Sequence, residues 1–312
     1  MSTKAHTISA SISDLDRCSS GHSTLPPDYE ATEAAELSRL SPASSSTNSL
    51  PEYTALYDNA QALSSAASGF HTTKELQIQA PGLALVALPL PPQPDPIYIF
   101  NVTPTGELGE AEYVSVRPAR NSGSCFLARA LDPARTPLCT TIYRFGPGKP
   151  PKIRLIGDES PQHHHAEDIE LSCKGVLTRS VFMRTHLGTF EWRYSSRAER
   201  RAAQASIGEE VDCLLVLDQV INIAVSGGKK EERRRKVAQF VRSSGLRTEG
   251  SRKSSAGNGG RLMLDQREWA DKKGEAGDIE LLVVASCVSM LKKEVDRRRM
   301  HQAMVIMGGA GS

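Results

Sequence analysis

The chain has 312 residues, 24% of them charged, and a formal net charge of +2. That balance excludes a strongly basic chain, but net charge alone does not choose among a membrane headgroup, a phosphoprotein and nucleic acid as an anionic partner; nucleic acid is the less expected of these. The charge is split all the same: residues 1–70 carry three basic side chains (Lys4, Arg17, Arg39) and eight acidic ones, a net of −5, which leaves +7 for the rest.

Residues 1–70 are rich in Ser, Ala, Thr and Pro and poor in periodic apolar positions. Such a stretch buries too little surface to offset its ordering entropy, so it reads as a disordered tail. Within it lie Pro26-Pro27-Asp28-Tyr29 and the variant Leu50-Pro51-Glu52-Tyr53. A Pro-Pro-x-Tyr segment is stiffened toward polyproline II and offers a tyrosine to an aromatic-lined groove, which suits a WW domain. Two copies on one flexible tether make the second contact intramolecular. Pro26, Pro27, Tyr29, Leu50, Pro51 and Tyr53 are therefore the candidate partner-binding residues. No apolar h-region follows the initial Met-Ser-Thr-Lys-Ala-His, so no secretory signal is expected.

The segment 71–312 is long enough for a sizeable core. A proline-rich connector, Pro89 to Pro96, precedes strand candidates at Tyr98 to Thr103, Tyr113 to Pro118, Cys125 to Ala130, Leu138 to Phe145 and Pro151 to Ile156, each flanked by Gly, Pro, Asn or Asp-Pro punctuation. A polar loop, 157–168, is expected to be mobile. Strands resume at Ile169 to Lys174, Ser180 to Thr185 and Gly188 to Tyr194; in the last, Phe190, Trp192 and Tyr194 share one face at period two, as a core face does. Short strands at this spacing predict an antiparallel meander, closed or nearly closed.

A short helical turn over Ala198 to Ala205 and an apolar strand over Asp212 to Val225 come next. The run Lys229-Lys-Glu-Glu-Arg-Arg-Arg-Lys236 holds good helix formers and is expected to continue helically to Phe240. Its exposed charges are expected to add little to stability. Arg197, Arg200, Arg201, Lys229, Lys230, Arg233, Arg234, Arg235 and Lys236 together form a candidate patch for an anionic membrane surface; a nuclear import signal is the competing reading of the run. Mobile loops are expected near 226–260, above all from Ser243 to Gly260, with Ser255, preceded by Arg252 and Lys253, as a candidate phosphorylation site.

Asp278 to Arg299 opens on an acidic turn and closes on a basic one, Lys292 to Arg299, as a helix dipole favours. Between them Leu281 to Leu291 is apolar or small on every side. This uncharged stretch of eleven residues is short of the ~20 that a membrane span needs, so the helix should be buried in protein. A β-meander followed by one helix wrapped on all sides predicts a barrel closed around it. In the strand pattern from Tyr98 to Tyr194, the segment Gly188-Thr-Phe-Glu-Trp192 and the helix Glu280 to Leu291, the chain resembles the tubby C-terminal-like superfamily, which includes the LURP-one-related and phospholipid-scramblase families, and within it the uncharacterised fungal members with Ser/Pro-rich tails. The resemblance implies a mainly β fold, an antiparallel barrel enclosing the hydrophobic helix, and phosphoinositide binding on the barrel surface.

Other constellations are weak. His163-His164-His165 cannot all converge on one ion, and Gly146-Pro-Gly-Lys-Pro150 lacks phosphate-loop spacing while its prolines remove amide donors. Cys18, Cys125, Cys139, Cys173, Cys213 and Cys287 show neither C-x-x-C nor metal-ligand spacing and suit a reducing compartment. No nucleophile elbow or zinc-hydrolase spacing is present. The expectation is a non-enzymatic adaptor without metal or cofactor, cytoplasmic with membrane-peripheral or nuclear placement as alternatives. Its tail would recruit a WW-domain ubiquitin ligase of the HECT type, and its barrel would dock on a membrane surface or cargo. The alternative is a phospholipid-binding or scramblase-like barrel with incidental tail motifs.

Overall fold

The computed structural model describes residues 69–83, 94–118, 122–144, 146, 149–156, 168–173, 179–224, 230–272 and 274–309. Both proline motifs, His163 to His165, Lys229 and most of the 157–168 loop lie outside them.

Twelve antiparallel strands form one sheet: β1 (Lys74–Leu83), β2 (Ile97–Val102), β3 (Leu108–Val116), β4 (Cys125–Arg129), β5 (Cys139–Ile142), β6 (Lys152–Leu155), β7 (Asp168–Glu170), β8 (Val181–Thr185), β9 (Gly188–Tyr194), β10 (Val211–Ala224), β11 (Lys230–Ser243) and β12 (Ala256–Leu264). The order runs β7 back to β1, then β12 back to β8. Two meanders are thus joined by the β1–β12 pair, in which Leu76 faces Leu262 and Ile78 faces Gly260. At the outer ends Ser172 and Phe182 exchange two backbone hydrogen bonds, of 3.0 and 2.7 Å, so the sheet curls into a nearly closed barrel.

Helix α1 (Arg197–Ile207) is packed on the outside, and α2 (Glu275–Gly309) enters the barrel. From Ile279 to Lys292 every residue of α2 is buried. Its apolar side chains form one cluster with inward residues of the strands, among them Leu76, Ile99, Ile153, Met183, Phe190, Trp192, Leu217, Phe240 and Leu262. Burial at ~1.5–3 kcal/mol for each large apolar side chain makes this one helix a major source of core energy. The eleven-residue apolar stretch is therefore the filling of a barrel.

Polar contacts fix the helix in place. Glu280, 7% exposed, accepts from Lys74 Nζ (2.6 Å), Tyr113 Oη (2.7 Å) and Gln266 Nε2 (3.2 Å); a carboxylate is tolerated there because donors meet it. Trp192 Nε1 donates to Ser286 Oγ at 2.9 Å, which places the indole of β9 against the middle of the helix. On the outer face, Ala203 of α1 packs with Val211, Leu214, Val216 and Val241.

Three expectations need correction, and one strand is an addition. The basic run is not helical: it is the first half of β11, paired residue by residue with β10 from Ala224 opposite Lys230 to Asp218 opposite Lys236. Long-range pairing overrides its local helix propensity. The stretch 226–260 is not one loop, because β11 and β12 occupy most of its described part, and Ala256 to Gly260 are buried. Helix α2 does not stop at Arg299 but runs to Gly309, so its basic turn lies mid-helix. The sequence reading also passed over β1, although Leu76, Ile78 and Ala80 alternate inward there; Pro81 is absorbed by a register shift.

Candidate functional site at the charged hairpin and the helix exit

Strands β10 and β11 reach past their neighbours. Strand β9 pairs with β10 only at Leu215 to Gln219, and β12 pairs with β11 only at Ala238 to Val241. The distal part of the hairpin, where the predicted cations sit, is thus a two-stranded arm. Its arginines are already matched with carboxylates. Arg233 Nε meets Glu231 Oε1 at 3.1 Å. Arg234 meets Glu191 at 2.7 Å and Glu232 at 2.8 Å. Arg235 pairs with Glu268 and stands 5.2 Å from the Trp269 ring centroid. Lys236 lies over the Phe70 ring.

The arm and α1 are linked through one further arginine. Arg193 Nε donates to Asp218 Oδ2 at 2.6 Å, while its terminal nitrogens hold both oxygens of Glu199 at 2.7 and 2.8 Å. Glu199 also accepts from the Ser196 backbone N–H, and Ser196 Oγ accepts from Glu199 N–H, a reciprocal cap that starts α1. Hydrogen bonding to Arg193 is the largest cause lowering the Glu199 pKa, to about 2. Of the α1 cations, Arg197 and Arg201 are exposed and Arg200 is half-buried. The structure therefore brings α1 and the basic run into one network, through Arg193 and Glu199, which sequence reasoning had not singled out. The run itself is largely neutralised.

Ser255 is 7% exposed, and its backbone N–H donates to Arg252 O at 2.9 Å, closing the turn before β12. Lys253 is engaged by Asp212 at 2.6 Å. The serine is thus tucked into a turn and not displayed on a mobile loop.

A second group of charges gathers where α2 leaves the barrel. The end of β1, Asp95, Arg117, Gly257 and the helix face from Leu291 to Arg299 line a recess of about 50 Å³. Gly257 has φ +72°, and a β-carbon there would stand 2.6 Å from Val295 Cγ2 and 2.9 Å from Leu291 O; only glycine lets β12 approach the helix this closely. Glu294 is committed to Arg242, at 2.8 and 3.3 Å, and Asp296 to Lys292 at 2.7 Å, while Lys292 also lies over the Tyr143 ring. Burial, then the neighbouring Asp296 charge, pushes the Tyr143 phenol up. Arg297, Arg298 and Arg299 follow directly; Arg299 reaches Asp296 only at 4.0 Å, and Arg298 donates to Ser254 O.

Arg117 is the exception to this pairing. It is 7% exposed, its Nε is enclosed without a hydrogen-bond partner, and it forms no salt bridge with a described carboxylate, although its charge acts on the neighbouring Tyr143. No sequence signal marked it: Asp95 precedes β2, Arg117 follows β3 and Lys292 lies on α2. Cys139 and Cys287 are buried thiols, the first pushed up to about 12 by burial and the second also raised by it.

Among the described residues no three His, Cys, Asp or Glu side chains form a metal-binding group, and no helix is long and apolar enough to cross a membrane. No family model, curated protein or solved structure matches the chain.

Proposed function

We propose that this chain is a non-enzymatic interaction protein of the tubby-like barrel type. Its N-terminal segment recruits a WW-domain protein, of the HECT-type ubiquitin ligase class, and its barrel docks on an anionic membrane surface. The observation that carries the reading is α2: the barrel's interior is filled by its own helix, so binding falls to the outer surface and to the tail. An antiparallel barrel wrapped around an apolar helix is also the architecture that the tubby-like resemblance implies. For the barrel, the helix exit is a better docking face than the arm. The arm's arginines meet Glu191, Glu231, Glu232 and Glu268, whereas at the exit Glu294 and Asp296 are already engaged and Arg297 follows without a carboxylate of its own turn to spare.

Two measurements test the two halves. Peptides carrying Pro26-Pro27-Asp28-Tyr29 and Leu50-Pro51-Glu52-Tyr53 are titrated against a panel of WW domains. Tyr29→Ala should abolish most binding and Tyr53→Ala should weaken it less, since Leu50 replaces the first proline. Silence of both peptides at a few hundred micromolar, roughly −5 kcal/mol, sinks the recruitment half. Flotation of the full chain with phosphatidylserine vesicles should be salt-sensitive. It should fall on replacing Arg297 by Gln and survive Arg233→Gln. Vesicle binding without WW binding would favour the lipid-binding barrel with incidental tail motifs.

A further inference from the structure

We infer that the recess at the helix exit binds a compact phosphate-type oxyanion, with Arg117 as its principal ligand. A guanidinium cannot shed its proton in a protein, and a buried charge is tolerated only where a counter-charge or a full set of acceptors meets it. Among the described residues the enclosed Nε of Arg117 has no acceptor and no carboxylate forms a salt bridge with the guanidinium. The acids nearby do not serve. Asp95 lines the recess but forms no ion pair with Arg117, and Asp296 is held by Lys292 at 2.7 Å. The flanking sequence offers none either, since residues 84–93 and 119–121 contain no Asp or Glu. Lys292 and Arg299 line the same recess, so an anion placed against Arg117 meets three cations, of which Lys292 is also paired with Asp296, and one lining carboxylate, Asp95. The planar fork of Arg117 matches two oxygens of a tetrahedral oxyanion, and the recess admits an ion of that size but not an extended ligand. The recess is distinct from the arm, and the phosphate titration, unlike the vesicle competition, does not depend on the proposed membrane docking.

Thermal unfolding and calorimetric titration of the full chain are followed in inorganic phosphate and in sodium chloride of matched ionic strength. Phosphate should raise the melting temperature saturably above the chloride control. Arg117→Met should remove that response while melting no lower than the wild type in phosphate-free buffer, because the uncompensated charge is gone; a guanidinium that is merely structural predicts the reverse, a lower melting temperature with or without phosphate. Arg299→Gln should weaken the phosphate affinity about 3-fold or more, and Arg117→Lys, which keeps the charge but loses the fork, about 10-fold. Should Arg117→Met fail to fold, these two variants decide. Equal behaviour in phosphate and chloride, or a phosphate response unchanged in the Arg117 variants, overturns the inference. Competition separates the sources of the anion: inorganic phosphate that displaces the chain from phosphatidic acid vesicles points to a lipid headgroup in the recess, and phosphate binding without displacement points to a free ion.

Discussion

Arg233 and Arg234 are adjacent and chemically identical, yet their removal should differ. The Arg234 guanidinium is the cation closest to Glu191, whose side chain is 6% exposed, and lies 3.9 Å from Asp218, at 3%. Arg234→Gln strands Glu191, while Asp218 keeps its 2.6 Å bond from Arg193; because Arg234 itself is partly solvated the expected loss is about 1–3 kcal/mol, below that of a fully buried pair. Arg233→Gln removes an exposed pair and should cost no more than ~0.5 kcal/mol. Urea denaturation of the two variants measures the contrast; equal effects would show that the network around Glu191 is not structural. Read from the sequence alone, the whole run looked dispensable for folding, since nothing there reveals which arginine faces a buried acid. Glu199 adds a pH signature. Its folded pKa, about 2, lies below the ordinary 4.5, so its stabilisation is complete above pH 4.5 and drains away as the pH falls from about 4.5 to about 2. Glu199→Gln should lower stability at neutral pH and flatten the acid limb of the stability curve over that window; an unchanged limb would count against the Arg193–Glu199 pair.

Elements were legible where local pattern and tertiary role agree. The alternation Phe190, Trp192, Tyr194 places β9 correctly because a half-buried strand writes its face into every second residue, and Trp192 and Phe190 are indeed fully buried. The apolar girth of α2 reveals its enclosure for the same reason. Strand β11 was obscured because Lys, Glu and Arg favour helix locally, and only its partner β10 makes it a strand. Strand β12 was obscured because Gly257-Asn-Gly-Gly260 reads as a loop, whereas these glycines thin the wall so that helix and neighbouring strands can approach. Gly257→Ala should therefore destabilise the fold by about 1–3 kcal/mol, combining a left-handed backbone with a clash against Leu291 and Val295; a neutral result in thermal unfolding would mean that the helix has room to shift. For α2 itself, Val284, fully buried, is the sharpest probe. Val284→Asp puts a carboxylate into the apolar interior at a cost of several kcal/mol unless it stays protonated, comparable with the ~5–15 kcal/mol of a typical domain. The variant, and a truncation ending at residue 277, should be insoluble or unfolded; a monodisperse, folded 71–277 fragment would refute the role assigned to the helix.

At the scale of the molecule, recess and network share a cause: the fold brings together residues that the chain keeps apart. Sequence exposes the barrel's periodicity and predicts its closure but not which side chains closure brings together, so Arg117 beside Lys292, or Arg193 between α1 and β10, becomes visible only once the sheet has curled. The order of the parts also has a consequence for biosynthesis. Strand β1 must find β12, across a separation of some 190 residues in the pair Lys74 and Leu264, and the helix that fills the interior follows every strand. A nascent chain emerging from the ribosome can therefore form hairpins such as β10–β11 early, but it cannot shield the inward faces of β1 to β9 until α2 has been made. Long-range closure of this kind is slow and leaves apolar strands exposed while it waits. The half-made protein should thus be a client for chaperones that hold extended apolar segments, and its release from them should coincide with synthesis past Leu291 rather than with completion of the sheet.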